Sequence, residues 1–97
     1  MTDLIDRLKA ASEGSAELDV AIAWLLRTPG DNVITHLDNY TQSIDAAVTL
    51  VPEGVDHCLM RLRNKSVAWV GTGETQRAAT PALALCIAAL LAREAVT

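Results

Sequence analysis

Arg61, Arg63, Lys65 and Arg77 are the residues of this chain best suited to chemistry, and that chemistry is the recognition of an anion. A guanidinium offers a planar fork of N–H donors that matches the oxygens of a phosphate. Strand alternation sets Arg61 and Arg63 on one face, and Arg77 falls on a short neighbouring strand, with Thr72 and Thr75 hydroxyls close by. Tyr40 and Thr41 precede a helix start, where unpaired backbone N–H groups favour negative charge. The Tyr40 ring can stack on a base or serve as a hydrophobic staple. Tyr40, Thr41, Arg61, Arg63 and Arg77 are thus the candidate binding residues for a small phosphorylated ligand. The plainer alternative is that these cations are solvated strand positions that discourage edge pairing.

The other chemistry-bearing residues point away from catalysis and metals. The chain has two histidines, His36 and His57, and two cysteines, Cys58 and Cys86. Zinc needs three or four converging ligands, and these residues do not have a ligand spacing. His57 and Cys58 are neighbours in a strand, so their side chains point to opposite faces, which disfavours a Cys–His nucleophile. Asp38, Asp45, Glu53 and Asp56 read as caps, turns and solvated positions, since no spacing forces two of them together. Gly71-Thr72-Gly73 follows a strand as a phosphate loop would. A dinucleotide fingerprint, however, would need glycine where Gln76 stands, so a turn is expected. No catalytic residue, metal or cofactor is expected.

Composition bounds the partners. A chain of 97 residues is expected to form one domain spanning 1–97, and such a domain is marginal alone. Trp24, Tyr40 and Trp69 are its only aromatics. A core of Ala, Leu, Val and Ile gains from oligomerisation, so a homo-oligomer is expected. The net charge is −4. Residues 1–58 carry ten acids and three bases, whereas residues 59–97 carry five bases and two acids. That split suits an anion site or self-association through opposite patches. Overall acidity argues against extended nucleic-acid binding. Asp3, Asp6 and Arg7 interrupt any leader-like apolar run, and the apolar stretch Pro81 to Ala92 is too short to span a membrane. With two thiols expected free and buried, a cytoplasmic protein is expected, although a disulfide remains open.

The elements that must position these residues are an α+β set: about four helices and a small antiparallel sheet made of a hairpin plus short strands. Leu4, Ile5, Leu8 and Ala11 share a face of a helix over 3–13 that Thr2 can cap and Gly14 can stop. Ser15 can cap a second helix over 16–27, with Leu18, Ala21, Ile22 and Leu25 as its stripe and Val20 and Trp24 widening it. Thr28 to Asn32 reads as a loop and Val33 to Leu37 as a short strand. Thr41 is the expected N-cap of a third helix over 42–51, whose apolar face is Ile44, Ala47, Val48 and Val51. Pro52 and Gly54 end it. A two-residue turn at Asn64-Lys65 would pair Leu62 with Val67, Met60 with Trp69 and Cys58 with Gly71. Trp69 is then expected to face the helices. Residues 75–78 are expected to add a short edge strand; Thr80 caps the last helix and Pro81 takes its first position. That helix is apolar on nearly every side from Leu83 to Leu91, so it runs through the centre or meets a second subunit.

Tyr40 to Gly54, the hairpin, and Ala79-Thr80-Pro81-Ala82-Leu83-Ala84-Leu85-Cys86 together resemble the small phage and prophage proteins of the phage ABA sandwich domain family. Leu4-Ile5-Asp6-Arg7-Leu8 and Glu17-Leu18-Asp19-Val20-Ala21-Ile22 fit the same pattern, so the resemblance covers about 3–92. The chain departs from it at 28–39, which is short and lacks Trp, and at Val55, where an aromatic often follows the Pro-Glu-Gly turn. The resemblance implies a helix–sheet–helix sandwich, a phage or prophage setting and no catalytic residues. The expectation that follows is a non-enzymatic accessory protein that binds a small phosphorylated ligand and sequesters a nucleotide signal of host defence. The alternative is a protein–protein interaction module without a small-molecule ligand.

Overall fold

The structure is a computed structural model that describes residues 2–26, 37–63, 65–71 and 73–96. Arg27, the 28–32 loop, residues 33–36 of the strand expected over Val33 to Leu37, Asn64 and Thr72 lie outside the described residues; Leu37 is not in a strand. The chain runs α1 (Thr2–Ala10), α2 (Ala16–Leu26), α3 (Ile44–Val48), β1 (His57–Arg61), β2 (Ser66–Val70), β3 (Gln76–Ala78) and α4 (Pro81–Val96). This is the expected α+β arrangement of four helices and a small antiparallel sheet, with strand order β1-β2-β3.

The middle layer is a helix. One side of α4 packs on the sheet, chiefly on β2, and the other on α1 and α3. This double burial is why Ala82 to Leu90 are buried without interruption, as an all-round apolar helix requires. Thr80 starts the helix by accepting from the Leu83 N–H at 3.2 Å. Of the two places expected for this helix, the centre of the domain is the one observed, since Ala82 to Leu90 are buried within the chain. The resemblance implies a sheet between helices, whereas among the described residues no helix covers the sheet face opposite α4.

The hairpin exists, but its register differs from the expected one by two residues. His57 pairs with Val70, Cys58 with Trp69, Leu59 with Ala68, Met60 with Val67 and Arg61 with Ser66. The Leu62 N–H donates to the Lys65 carbonyl at 2.8 Å, so Lys65 is a paired residue and not part of the expected Asn64-Lys65 turn. A slip of two preserves which residues share a face. The direction of that face is reversed, however. Ser66, Ala68 and Val70 are buried beneath α4, while Val67 and Trp69 are half-buried on the other side with Cys58 and Met60. Trp69 thus does not fill the helix-facing core. The reason is depth: β2 turns its smaller row, Ser66, Ala68 and Val70, towards α4, where Ala84 and Ala88 stand one turn apart and buried, and such residues allow a close approach that an indole would block.

The third helix is shorter than expected, and its cap is Ser43, not Thr41. Ser43 is extended (φ −138°, ψ 128°) and accepts from the Ala46 N–H at 3.4 Å. Beyond Val48 the backbone tightens: the N–H groups of Thr49, Leu50 and Val51 donate to the carbonyls three residues back. Three residues per turn put Ala47 and Leu50 on one side, and both are buried, while Ile44 and Val48 are exposed. In α2, Leu18 and Ile22 are buried as expected, but Leu25 and Trp24 lie on the outside.

Candidate functional site

The five candidate residues do not converge. The strand ends at Arg61, so Arg63 sits in the turn and strand alternation does not align the two. Arg61 pairs with Ser66, on the α4 side of the sheet. Arg77 pairs with Val67, on the opposite face. Tyr40 is only 5% exposed and belongs to the core. Burial, then the charge of Asp38, raises its phenol pKa above the ordinary value. Its ring is therefore core packing and not a stacking platform.

Thr41 is 1% exposed, and its polar groups are engaged. Its N–H donates to Asp19 Oδ1 at 2.7 Å. Its hydroxyl lies 2.6 Å from the same oxygen and 3.1 Å from the Ser15 carbonyl. A hydroxyl has one proton, and the shorter, charge-assisted contact takes it. Thr41 Oγ1 in turn accepts from the Ser15 N–H at 3.0 Å. Asp19 Oδ2 accepts from Gln42 Nε2 at 2.8 Å. Asp19 thereby clamps residues 41 and 42 to the start of α2, which explains why Thr41 cannot cap α3. Leaving one such buried group without its partner costs about 1–3 kcal/mol. Gly14 completes the joint: a Cβ there would collide with the Thr41 carbonyl oxygen.

Sequence reasoning gave Asp19 no such role. The signal was present, since Asp19, Ile22, Ala23 and Leu26 stand at i, i+3, i+4 and i+7 on one face of α2. A carboxylate on a helix face turned to the core must find donors inside.

Arg61 and Thr41 do come together. They line a cavity of about 370 Å³ with Gln42, Glu13 and the start of α4, Thr80 to Ala82. Thr41 forms its wall, already satisfied by Asp19. Among the described residues the Arg61 guanidinium has no ion-pair partner, and it shares the cavity with the positive end of a helix of 16 residues. Pro81 has no N–H and the Leu83 N–H is capped, which leaves the Ala82 N–H as the first-turn donor beside the cavity. Glu13 works against an anion from the other side.

A second cavity, about 350 Å³, is apolar. It is lined by Val55, Val70, Ala88 and Leu91 with Glu74 and Gln76, and no cation lines it, so it does not suit phosphate. Gly71, with φ 61°, turns the chain there, as expected of a turn and not a phosphate loop.

Cys58 and Cys86 are free thiols. Cys86 Sγ donates to the Tyr40 carbonyl at 3.1 Å. Burial, with a smaller contribution from Asp19, pushes its pKa up to about 12. It is a core group and no nucleophile. Among the described residues no cluster of His, Cys, Asp or Glu could hold a metal. Among the same residues no helix is long and apolar enough to cross a membrane.

No protein-family model, curated protein or solved structure matches this chain.

Proposed function

We propose that the protein is a non-enzymatic binding protein whose ligand is a small phosphorylated molecule held beside Arg61. One observation carries the reading: a guanidinium without an ion-pair partner among the described residues shares a cavity with the N-terminal end of α4. A fork of donors and a helix N-terminus both favour the same charge, and phosphate is the group that uses both. In the phage or prophage setting that the resemblance implies, such binding would sequester a nucleotide signal of host defence. Thr41 supports the cavity wall in this reading, and Tyr40, Arg63 and Arg77 lie outside the site.

Thermal unfolding against inorganic phosphate and a panel of mono-, di- and cyclic nucleotides tests it. A ligand at a hundredfold excess over its dissociation constant stabilises the fold by about 2.7 kcal/mol. Arg61→Ala, an exposed position, should keep the fold and lose that stabilisation. A panel without effect, or an Arg61→Ala protein that responds as the parent does, overturns the reading.

One observation favours a protein–protein module instead. The sheet face away from α4 carries Cys58, Met60, Val67 and Trp69, and Met60 is 53% exposed. Apolar exposure of this kind marks interaction surfaces.

A further inference from the structure

The open edge of the sheet carries a self-complementary pattern. β3 is three residues long and lies beside α1. β1 is five residues long, and of the described helices and strands only β2 and α4 contact it. In an antiparallel ladder, hydrogen-bonded and non-hydrogen-bonded pairs alternate. The Leu62 N–H to Lys65 carbonyl bond (2.8 Å) and the Gly71 N–H to Asp56 carbonyl bond (2.7 Å) fix which pairs are bonded. By alternation Met60 and Cys58 also bond to β2, while His57, Leu59 and Arg61 turn their N–H and C=O groups outward.

We propose that two copies of this chain associate by pairing β1 with β1, antiparallel, about a two-fold axis at Leu59. This inference stands apart from the ligand reading. In that register Leu59 meets its own copy, and His57 meets the partner's Arg61. Each of the three outward residues then exchanges both main-chain hydrogen bonds, and every residue of β1 is paired. Two sheets of three strands become one of six.

Side chains agree with this register on the outer face, and charge agrees at both ends. Cys58 falls opposite the partner's Met60, so Trp69, Cys58, the partner's Met60 and the partner's Val67 form one apolar row across four strands. Charge is complementary beyond the strand. One step beyond the strand, Leu62 falls opposite the partner's Asp56, so the acidic approach to β1 (Glu53 and Asp56) lies at the same end of the paired strands as the partner's basic exit (Arg61, Arg63 and Lys65). All five charged residues are exposed. The acidic entry to β1 thus meets the basic exit of the other copy twice, by symmetry. The helices leave room, because α4 sits chiefly over β2. Three strand spacings separate β2 from its counterpart, about 14 Å, against about 8–10 Å for packed helices. A five-residue strand contact lies below the roughly 1,200 Å² of tight complexes, so this dimer exchanges with monomer.

Sedimentation velocity over a concentration series at low salt tests the proposal. A reversible monomer–dimer equilibrium is expected. Glu53→Lys with Asp56→Lys, and separately Arg63→Glu with Lys65→Glu, should each weaken self-association about tenfold or more while leaving the circular dichroism of the fold unchanged. An equimolar mixture of the two variants should recover the dimer, since both ends become attractive again. Leu59→Cys in a Cys58→Ser background should cross-link on mild oxidation, because a bonded antiparallel pair holds its Cα atoms about 5.5 Å apart, within disulfide reach. A monomer at every concentration, a dimer indifferent to either charge reversal, a mixture that stays monomeric, or a folded Leu59→Cys protein that fails to cross-link overturns the proposal.

Discussion

Cys86 shows how a single buried group ties stability to pH. Its thiol is surrounded by core residues and donates to the Tyr40 carbonyl, and burial holds its pKa at about 12 against an ordinary value of 9.0. The folded chain therefore keeps a proton that the unfolded chain releases. The stabilisation is whole below about pH 9 and is lost as pH rises towards about 12. Tyr40, raised from 10.0, acts with the same sign over the upper part of that range. The urea midpoint of the parent should thus fall more steeply above pH 9 than that of Cys86→Ala, with the difference between the two proteins as the readout. A thiol reagent should modify Cys58 in the native protein and reach Cys86 only on unfolding. The burial of Cys86 was legible from its apolar surroundings. Its bond to the Tyr40 carbonyl was not, because contacts between residues 46 positions apart leave no local pattern.

At the scale of elements, legibility followed how one-sided the pattern was. Thr80-Pro81 followed by an unbroken apolar run announced the start of α4 and its burial on more than one side, but left open whether the chain's own centre or a second subunit covers it. The hairpin was equally plain, yet its facing was not. Both faces carry apolar residues, Leu59, Ala68 and Val70 on one and Cys58, Met60, Val67 and Trp69 on the other, and bulk alone favours the wrong one. What decides it is the depth left beneath α4, a property of the partner element. The third helix failed for a related reason: Thr41 is a good cap taken by Asp19, so Ser43 caps instead. The candidate site suffered most. Joining Arg61 to Arg77 needs strand facing, and joining it to Tyr40 needs the path of residues 37–43. Facing can be checked directly. Ala68→Leu should destabilise the fold by about 1–3 kcal/mol through overpacking beneath α4. Val67→Leu, one residue away on the outer face, should stay within about 0.5 kcal/mol. Urea unfolding of both variants supplies the comparison, and equal effects would contradict the assigned face.

For the molecule as a whole, the governing fact is that the middle layer comes late in the chain. The sheet, α1 and α3 all pack on α4. Removing residues 81–96 should therefore abolish cooperative unfolding and leave a chain with collapsed amide dispersion in NMR. A remnant that keeps a sharp thermal transition would show a second core. The same placement bears on synthesis. Chains leave the ribosome from the N-terminus at about 5–20 residues per second. Leu4, Ile5 and Leu8 of α1, then Ala46, Ala47 and Leu50 of α3, then the inner row of the sheet emerge before the helix that will cover them. Until residue 96 is clear of the exit tunnel, this protein is a string of half-finished surfaces awaiting its last helix.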